Sequence, residues 1–222
     1  LPTLAVIPYS NAMIRFPAHL QQCDMESNGK HIHQNGELVD HETGPIIWGE
    51  PGTNGQHSFY QSIHQGTTVV PIEFIGFYNA QYHTDVEVEG TSSQEKLLSN
   101  LFAQSVGLAT GKKSENLNQE FEGNRPNHIL FASQCDPYTM GALLSYFENK
   151  IAFQGFIWGI NSFDQEGVQL GKVLADQFID LFRKKGKGEE LSSSDFPLGQ
   201  AFIDQVESFK IDPPSTRKLS SF

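Results

Sequence analysis

Leu4-Ala5-Val6-Ile7-Pro8-Tyr9 is apolar at nearly every position, as expected of a strand covered on both faces and not of one with a wet side. Directly behind it, Ser10–Gln22 carries Met13, Phe16 and Leu20 on one helical stripe, and Pro17 is expected to bend that helix or shorten its first turns. Further runs of the same kind predict strands at Pro45–Trp48, Thr68–Phe74, His128–Phe131 and Ile151–Trp158. Helical segments fall between them. Ser92-x-x-Glu95 is a capping box opening a helix through Leu108, with Leu97, Leu98, Leu101, Phe102 and Ser105 facing inward and Gly111 as its stop. Pro137–Phe147 and Gly167–Phe182 follow, the latter striped by Val168, Val173, Leu174, Phe178 and Leu181, and Leu198–Phe209 is one more amphipathic helix. Asn35-Gly36 between His31-Ile32-His33 and Glu37-Leu38-Val39 predicts a hairpin. Strands alternating with helices argue for an α/β fold with a mainly parallel sheet.

The chain has 222 residues, of which 38% are hydrophobic and 11% aromatic, enough for a globular body burying roughly 70% of its unfolded surface. A net charge of −11 argues against nucleic acid as a partner, because phosphate contacts need clustered Lys and Arg. The one basic cluster, Arg183-Lys184-Lys185-Gly186-Lys187, closes a helix, where cations suit the dipole. Two distant cysteines, Cys23 and Cys135, suit free thiols in a reducing cytosol. No run approaches the ~20 apolar residues of a membrane span. The Lys112–Glu120 stretch is polar and reads as a loop, and Asp212-Pro213-Pro214 with the residues after it reads as disordered or docked on a partner.

The chemistry concentrates in three runs. Gly49-Glu50-Pro51-Gly52-Thr53-Asn54-Gly55-Gln56-His57 is a turn presenting an imidazole at the start of a helical stripe of Phe59, Tyr60 and Ile63 that Gly66 ends. A helix N-terminus there would favour a neutral imidazole able to accept a proton. The second run is Gln21-Gln22-Cys23-Asp24-Met25-Glu26-Ser27-Asn28-Gly29-Lys30, in which a continued helix would put Gln22 and Glu26 on one face. The third is Asn161-Ser162-Phe163-Asp164-Gln165-Glu166-Gly167-Val168-Gln169-Leu170-Gly171-Lys172.

Together these runs closely resemble the carboxy-terminal half of the phosphoglucose isomerase family. The likeness extends from about Ile7 to Arg183 and takes in Gly44-Pro45-Ile46-Ile47-Trp48, Phe121-Glu122-Gly123-Asn124-Arg125-Pro126 and Gly155-Phe156-Ile157-Trp158. It implies a three-layer αβα sandwich of sugar isomerase type, incomplete at its N-terminal side, spanning 1–185, with 186–222 a helix and tail that docks on the rest of the protein or on a partner subunit. It implies a cytoplasmic aldose–ketose isomerase that interconverts glucose 6-phosphate and fructose 6-phosphate and needs no cofactor. Glu26 would be the base that moves the proton, His57 the ring-opening group, Lys172 its partner, and Gln22 and Gln165 substrate contacts. The family's site lies at a homodimer interface, so His57 would serve the neighbouring subunit.

Two departures stand out. Gln169 replaces the family's usual glutamate three positions before Lys172, a change in that lysine's surroundings. The family's Ser/Thr-rich phosphate loop and its Gly-Gly-Arg signature have no counterpart, and no Met begins the chain, so it is expected to be part of a longer protein and inactive alone. The rival from another class is a sugar-phosphate-binding regulatory module without turnover, which would have no use for Glu26, His57 and Lys172 together. Three further readings carry less. His31, His33 and His41 could suggest zinc, but an exposed hairpin with Ile32 inward supplies no fourth ligand. Glu26 and Glu50 could be a glycosidase pair only if their separation allowed it. No Gly-x-Ser-x-Gly elbow supports a serine hydrolase.

Overall fold

The computed structural model describes residues 1–189, 196–209 and 211, which leaves the tail reading at 212–214 outside the described residues. The chain divides into two compact units, Leu1–Asp164 and Gln165–Phe222.

In the first unit, β1 (Thr3–Pro8) leads through a 3-10 turn at Asn11–Met13 into α1 (Phe16–Leu20). Pro17 sits in the first turn of α1, where its missing N–H is not needed, so the helix begins at Phe16 and not at Ser10. It continues as a π-turn over Gln21–Glu26 and ends with Ser27 and Asn28. After the hairpin come β2 (Ile46–Trp48), the short helices α2 (Gly52–Gln56) and α3 (Tyr60–Gln65), and β3 (Ile72–Phe77). A small antiparallel pair, β4 (Glu87–Val88) and β5 (Thr91–Ser92), precedes α4 (Ser93–Thr110). Then follow β6 (Asn127–Ala132) and α5 (Pro137–Trp158).

The large sheet is parallel throughout, in the order β2-β1-β3-β6. Its two faces read off at period 2. Ala5, Ile7, Ile72 and Phe74 meet Tyr60, Ile63, Leu101 and Leu108 from α3 and α4. Val6, Ile47, Ile75 and Phe77 meet Phe16, Leu20 and Phe147 from α1 and α5. Helices on both faces of a parallel sheet make the expected αβα layers. The capping box is present in both directions, with Glu95 N–H donating to Ser92 Oγ at 3.1 Å and Ser92 N–H to Glu95 Oε2 at 2.7 Å. Gly111 ends that helix at φ +64°.

Three sequence expectations are corrected. Ile151–Trp158 is not a strand but the last two turns of α5, which starts on the Asp136 cap and stops at left-handed Gly159. Phe147, Ile151 and Gly155, four apart, bury one stripe, while Phe153, Phe156 and Ile157 are exposed, so an apolar run imitated a doubly covered strand. Strand β3 starts after Pro71 and runs to Phe77, later than the predicted Thr68–Phe74. Phe102 lies outside, edging Phe131, and does not face inward.

The second unit contains a 3-10 turn at Glu166–Val168, α6 (Gln169–Gly186) and α7 (Pro197–Glu207). Phe178 packs on Phe196 and Phe202, and Lys185 pairs with Asp204 at 3.2 Å and Glu207 at 3.1 Å. Leu174, Phe178 and Leu181 are the partly buried members of the expected stripe; Val168 and Val173 are exposed.

Candidate active site

The helix carrying Gln22 does continue to Glu26, and four residues are about one turn in either helix type, so both share a side. Gln22 is exposed and Glu26 partly buried. The end of this helix is held from outside by Lys30, whose Nζ donates to the carbonyls of Glu26 and Ser27, each at 2.8 Å, and lies 3.6 Å from Asp164 Oδ1. A lysine on the last carbonyls satisfies acceptors that the helix cannot. The chain returns toward β2 through Gly44 at φ +44°, where a Cβ would stand 2.7 Å from the Asn28 carbonyl.

The His57 run is fastened to the other end of the same strands. A Cβ on Gly49 would stand 1.9 Å from the Val6 carbonyl oxygen, and one on Gly52 would stand 2.2 Å from the Tyr9 ring, so both contacts require glycine. The Tyr9 and Tyr60 hydroxyls lie 3.2 Å apart, and Gln56 Nε2 donates to Tyr9 at 3.1 Å. Burial pushes both phenols up, Tyr60 the further because the Tyr9 hydroxyl also faces it, which keeps this buried link protonated. His57 caps the C-terminal end of α2, with its N–H on the Asn54 carbonyl at 3.1 Å, and its side chain is exposed. The predicted position in a first helical turn is therefore corrected: the glycine-rich run is itself the short helix, His57 follows its last turn, and α3 starts only at Tyr60.

Glu26 and His57 of one chain leave opposite ends of β2. The Glu26 segment lies beside Gly44, before the strand, and the His57 segment follows Gly49, after it; five steps of extended chain between those glycines span up to roughly 16 Å. Glu50 also follows the strand and is exposed. In the second unit, Gln165 precedes the 3-10 turn and Lys172 is exposed in the first turn of α6, one turn after Gln169.

The hairpin forms, with Ile32 bridging Leu38 and Gly36 at φ +87°, but its faces are reversed from expectation. Ile32 is exposed, and His33 turns in to bond the Trp158 carbonyl through Nδ1 at 2.9 Å. Among the described residues, no group of three or more His, Cys, Asp or Glu side chains is arranged to hold a metal. No helix among them is long and apolar enough to cross a membrane. Cys23 and Cys135 carry free thiols. Sequence reasoning passed over Asp24, Asn28 and Ser162, which are buried polar groups; nothing in their spacing separates them from surface residues of the same types.

The model of the phosphoglucose isomerase family matches residues 1–198. The chain is 62% identical over 208 residues to the glucose-6-phosphate isomerase of Protochlamydia amoebophila, covering 94% of this chain and 38% of that protein. Against the glucose-6-phosphate isomerase of Desulfotalea psychrophila it is 58% identical over 207 residues, 93% of this chain and 38% of the relative. A crystal structure of a glucose-6-phosphate isomerase from Chlamydia trachomatis superposes with a TM-score of 0.82 at 51% identity, over 94% of this chain and 38% of the other. The chain thus spans about 38% of the length of these relatives.

Proposed function

We propose, from the premise that this chain belongs to the phosphoglucose isomerase family, that it is the carboxy-terminal catalytic part of an enzyme interconverting glucose 6-phosphate and fructose 6-phosphate. The observation that carries this is the family match over residues 1–198, which takes in Gln22, Glu26, His57, Gln165 and Lys172. No cofactor is called for, because the reaction only moves protons.

The cyclic sugar is opened first. One of the pair His57 and Lys172 takes the proton of the C1 hydroxyl and the other gives a proton to the ring oxygen, as the C1–O5 bond breaks and C1 becomes a carbonyl. Glu26 then takes the proton from C2, and the electron pair moves through C1–C2 to leave an enediolate, whose oxygen charge an ammonium at Lys172 stabilises. Return of that proton to C1, with transfer of the hydroxyl proton between O2 and O1, gives the ketose. Gln22 and Gln165 hold substrate hydroxyls. Gln169 keeps a hydrogen-bond acceptor beside Lys172 without the family's charge, which tunes that lysine and leaves its role.

A site completed by a second copy accounts for the placement of Glu26 and His57 at opposite ends of β2: His57 serves the neighbouring subunit of a homodimer. Residues 1–185 form the sugar isomerase type domain, 186–222 dock on the remainder of the protein or on the partner, and the protein works in the cytoplasm. The chain alone is inactive, because the missing phosphate-binding part supplies the binding energy that positions the reacting carbons.

The test is Glu26→Gln in the full-length enzyme, which keeps volume and loses basicity. Isomerisation and exchange of the C2 hydrogen with solvent deuterium, followed by NMR, should fall by about 10²–10⁴-fold while sugar-phosphate binding persists. Exchange at the wild-type rate would remove Glu26 from the role of base.

A further inference from the structure

Asn28 stands two residues beyond Glu26 with none of its surface exposed, a costly place for an amide unless its hydrogen-bonding groups are used. They are used. Its Nδ2 donates to Asp24 Oδ1 at 3.2 Å and to the Ile151 carbonyl at 3.0 Å, and its Oδ1 accepts from Ser162 Oγ at 2.8 Å. Two acceptors on one side and a hydroxyl on the other fix which way the amide points. One side chain therefore joins the helix that carries Glu26, the helix α5, and the segment between Ile160 and Asp164.

The space around this junction is tightly filled. A Cβ on Gly155 would stand 2.0 Å from Ser162 Oγ and 3.2 Å from Asn28 Oδ1, and Gly44 presses on the Asn28 backbone from the other side. Asp24 and Ser162 are themselves 4% and 8% exposed. The helix turn thus anchored is the π-turn, which gives up the regular i→i+4 bonding that would otherwise fix its direction.

We propose that Asn28 is the positioning residue of the Glu26 carboxylate, holding the widened turn Gln21–Glu26 against α5 and the 160–164 segment. This rests on Glu26 being the base. Asn28 is buried and acts through Glu26, not on the sugar. A misplacement on the order of 1 Å at a reacting group can cost about 10²-fold in rate, whereas groups that only hold the substrate are untouched by it, so loosening this junction acts on kcat and spares KM.

The experiment uses the full-length enzyme carrying Asn28→Asp, or Ser162→Ala, each checked for fold and subunit assembly. Asn28→Asp keeps the shape and the acceptor for Ser162, but sets an oxygen where a donor faced Asp24 and the Ile151 carbonyl. Its charged neighbours are Asp24 on its own helix, on which Lys150 of α5 acts, and Lys30, whose Nζ holds the adjoining Ser27 carbonyl and pairs with Asp164. We expect kcat to fall by about 10- to 100-fold at pH 8, KM to stay within about threefold, and C2 hydrogen exchange to fall in step with kcat. The ratio to wild type should recover at lower pH, because a protonated carboxyl donates again. Ser162→Ala removes one bond only and should lower kcat by about 2- to 10-fold with the same sparing of KM.

A folded Asn28→Asp enzyme with wild-type kcat, or with a loss that is the same at every pH or carried by KM, overturns the proposal. If that variant does not fold, unchanged kcat in folded Ser162→Ala overturns it. The two readings fail separately: Glu26→Gln with normal exchange removes the base, while a dead Glu26→Gln beside fully active Asn28→Asp and Ser162→Ala removes only the positioning role.

Discussion

Lys150→Met should damage this fold far more than Glu73→Gln, although both break the same ion pair. Glu73 lies in the central strand β3, on the sheet face toward α5, with none of its surface exposed. Its Oε2 is 3.2 Å from Lys150 Nζ, and its Oε1 is 3.4 Å from His128 Nε2 with no hydrogen bond to it among the described residues. The partners are not equally buried, since the Lys150 side chain keeps 31% of its surface exposed and that of His128 keeps 55%. Removing the carboxylate charge leaves Lys150 and His128 side chains that still reach water, and glutamine retains an acceptor for Lys150, so the cost is about 0–1.5 kcal/mol. Removing the ammonium, which also lies 5.4 Å from the Phe147 ring centroid, strands a carboxylate in the core, at about 3–5 kcal/mol. The double variant should recover most of that loss, giving a coupling energy of about 2 kcal/mol or more. Urea unfolding of the 222-residue chain, followed by circular dichroism at neutral pH, measures all three. Equal losses in the two single variants, or a double variant that is simply the sum of both, would refute the reasoning that Glu73 desolvation dominates.

Two further outcomes follow from geometry described above. Burial holds the Asp24 carboxyl above its ordinary range, against the opposing pull of Asn28 and Lys150; protonation-linked stability is therefore complete below the unfolded value, about 3.9, and lost as pH rises through the higher folded one. Relative to wild type, Asp24→Asn should thus gain stability as pH climbs through that window and then level off, and a difference that shrinks with rising pH in urea titrations would contradict the sign. For the dimer, full-length Glu26→Gln and His57→Ala enzymes, each nearly inactive, should regain up to about a quarter of wild-type activity when refolded together, because half of randomly paired dimers are mixed and each has one intact site. No recovery despite demonstrated subunit exchange would place both residues in one site of one chain.

Strands β1, β2 and β6 were legible because sandwiching between helix layers demands continuous apolar runs, and the Ser92–Glu95 box was legible because capping is decided within four residues. Ile151–Trp158 was not, since α5 leaves Phe153, Phe156 and Ile157 exposed, and an apolar outer face erases the period that separates helix from strand. The place of His57 in its helix was misread, because glycines at 52 and 55 concealed a short helix whose Gly52 packs on the distant Tyr9 ring. The junction at Asn28 was invisible for a related reason. Its partners lie 4, 123 and 134 residues away, and only the folded chain brings the distant two within reach.

The π-turn at Gln21–Glu26 makes the bearing of the carboxylate a matter of helical phase. A turn closed by i→i+5 bonds takes up more residues than an α-turn, so everything after it is rotated back relative to a straight helix. Shortening the turn by one residue would change no chemistry at position 26, yet would swing its side chain by about 100° around the axis. In designed variants, the number of residues between Phe16 and Glu26 therefore sets the angle at which that carboxylate leaves the helix.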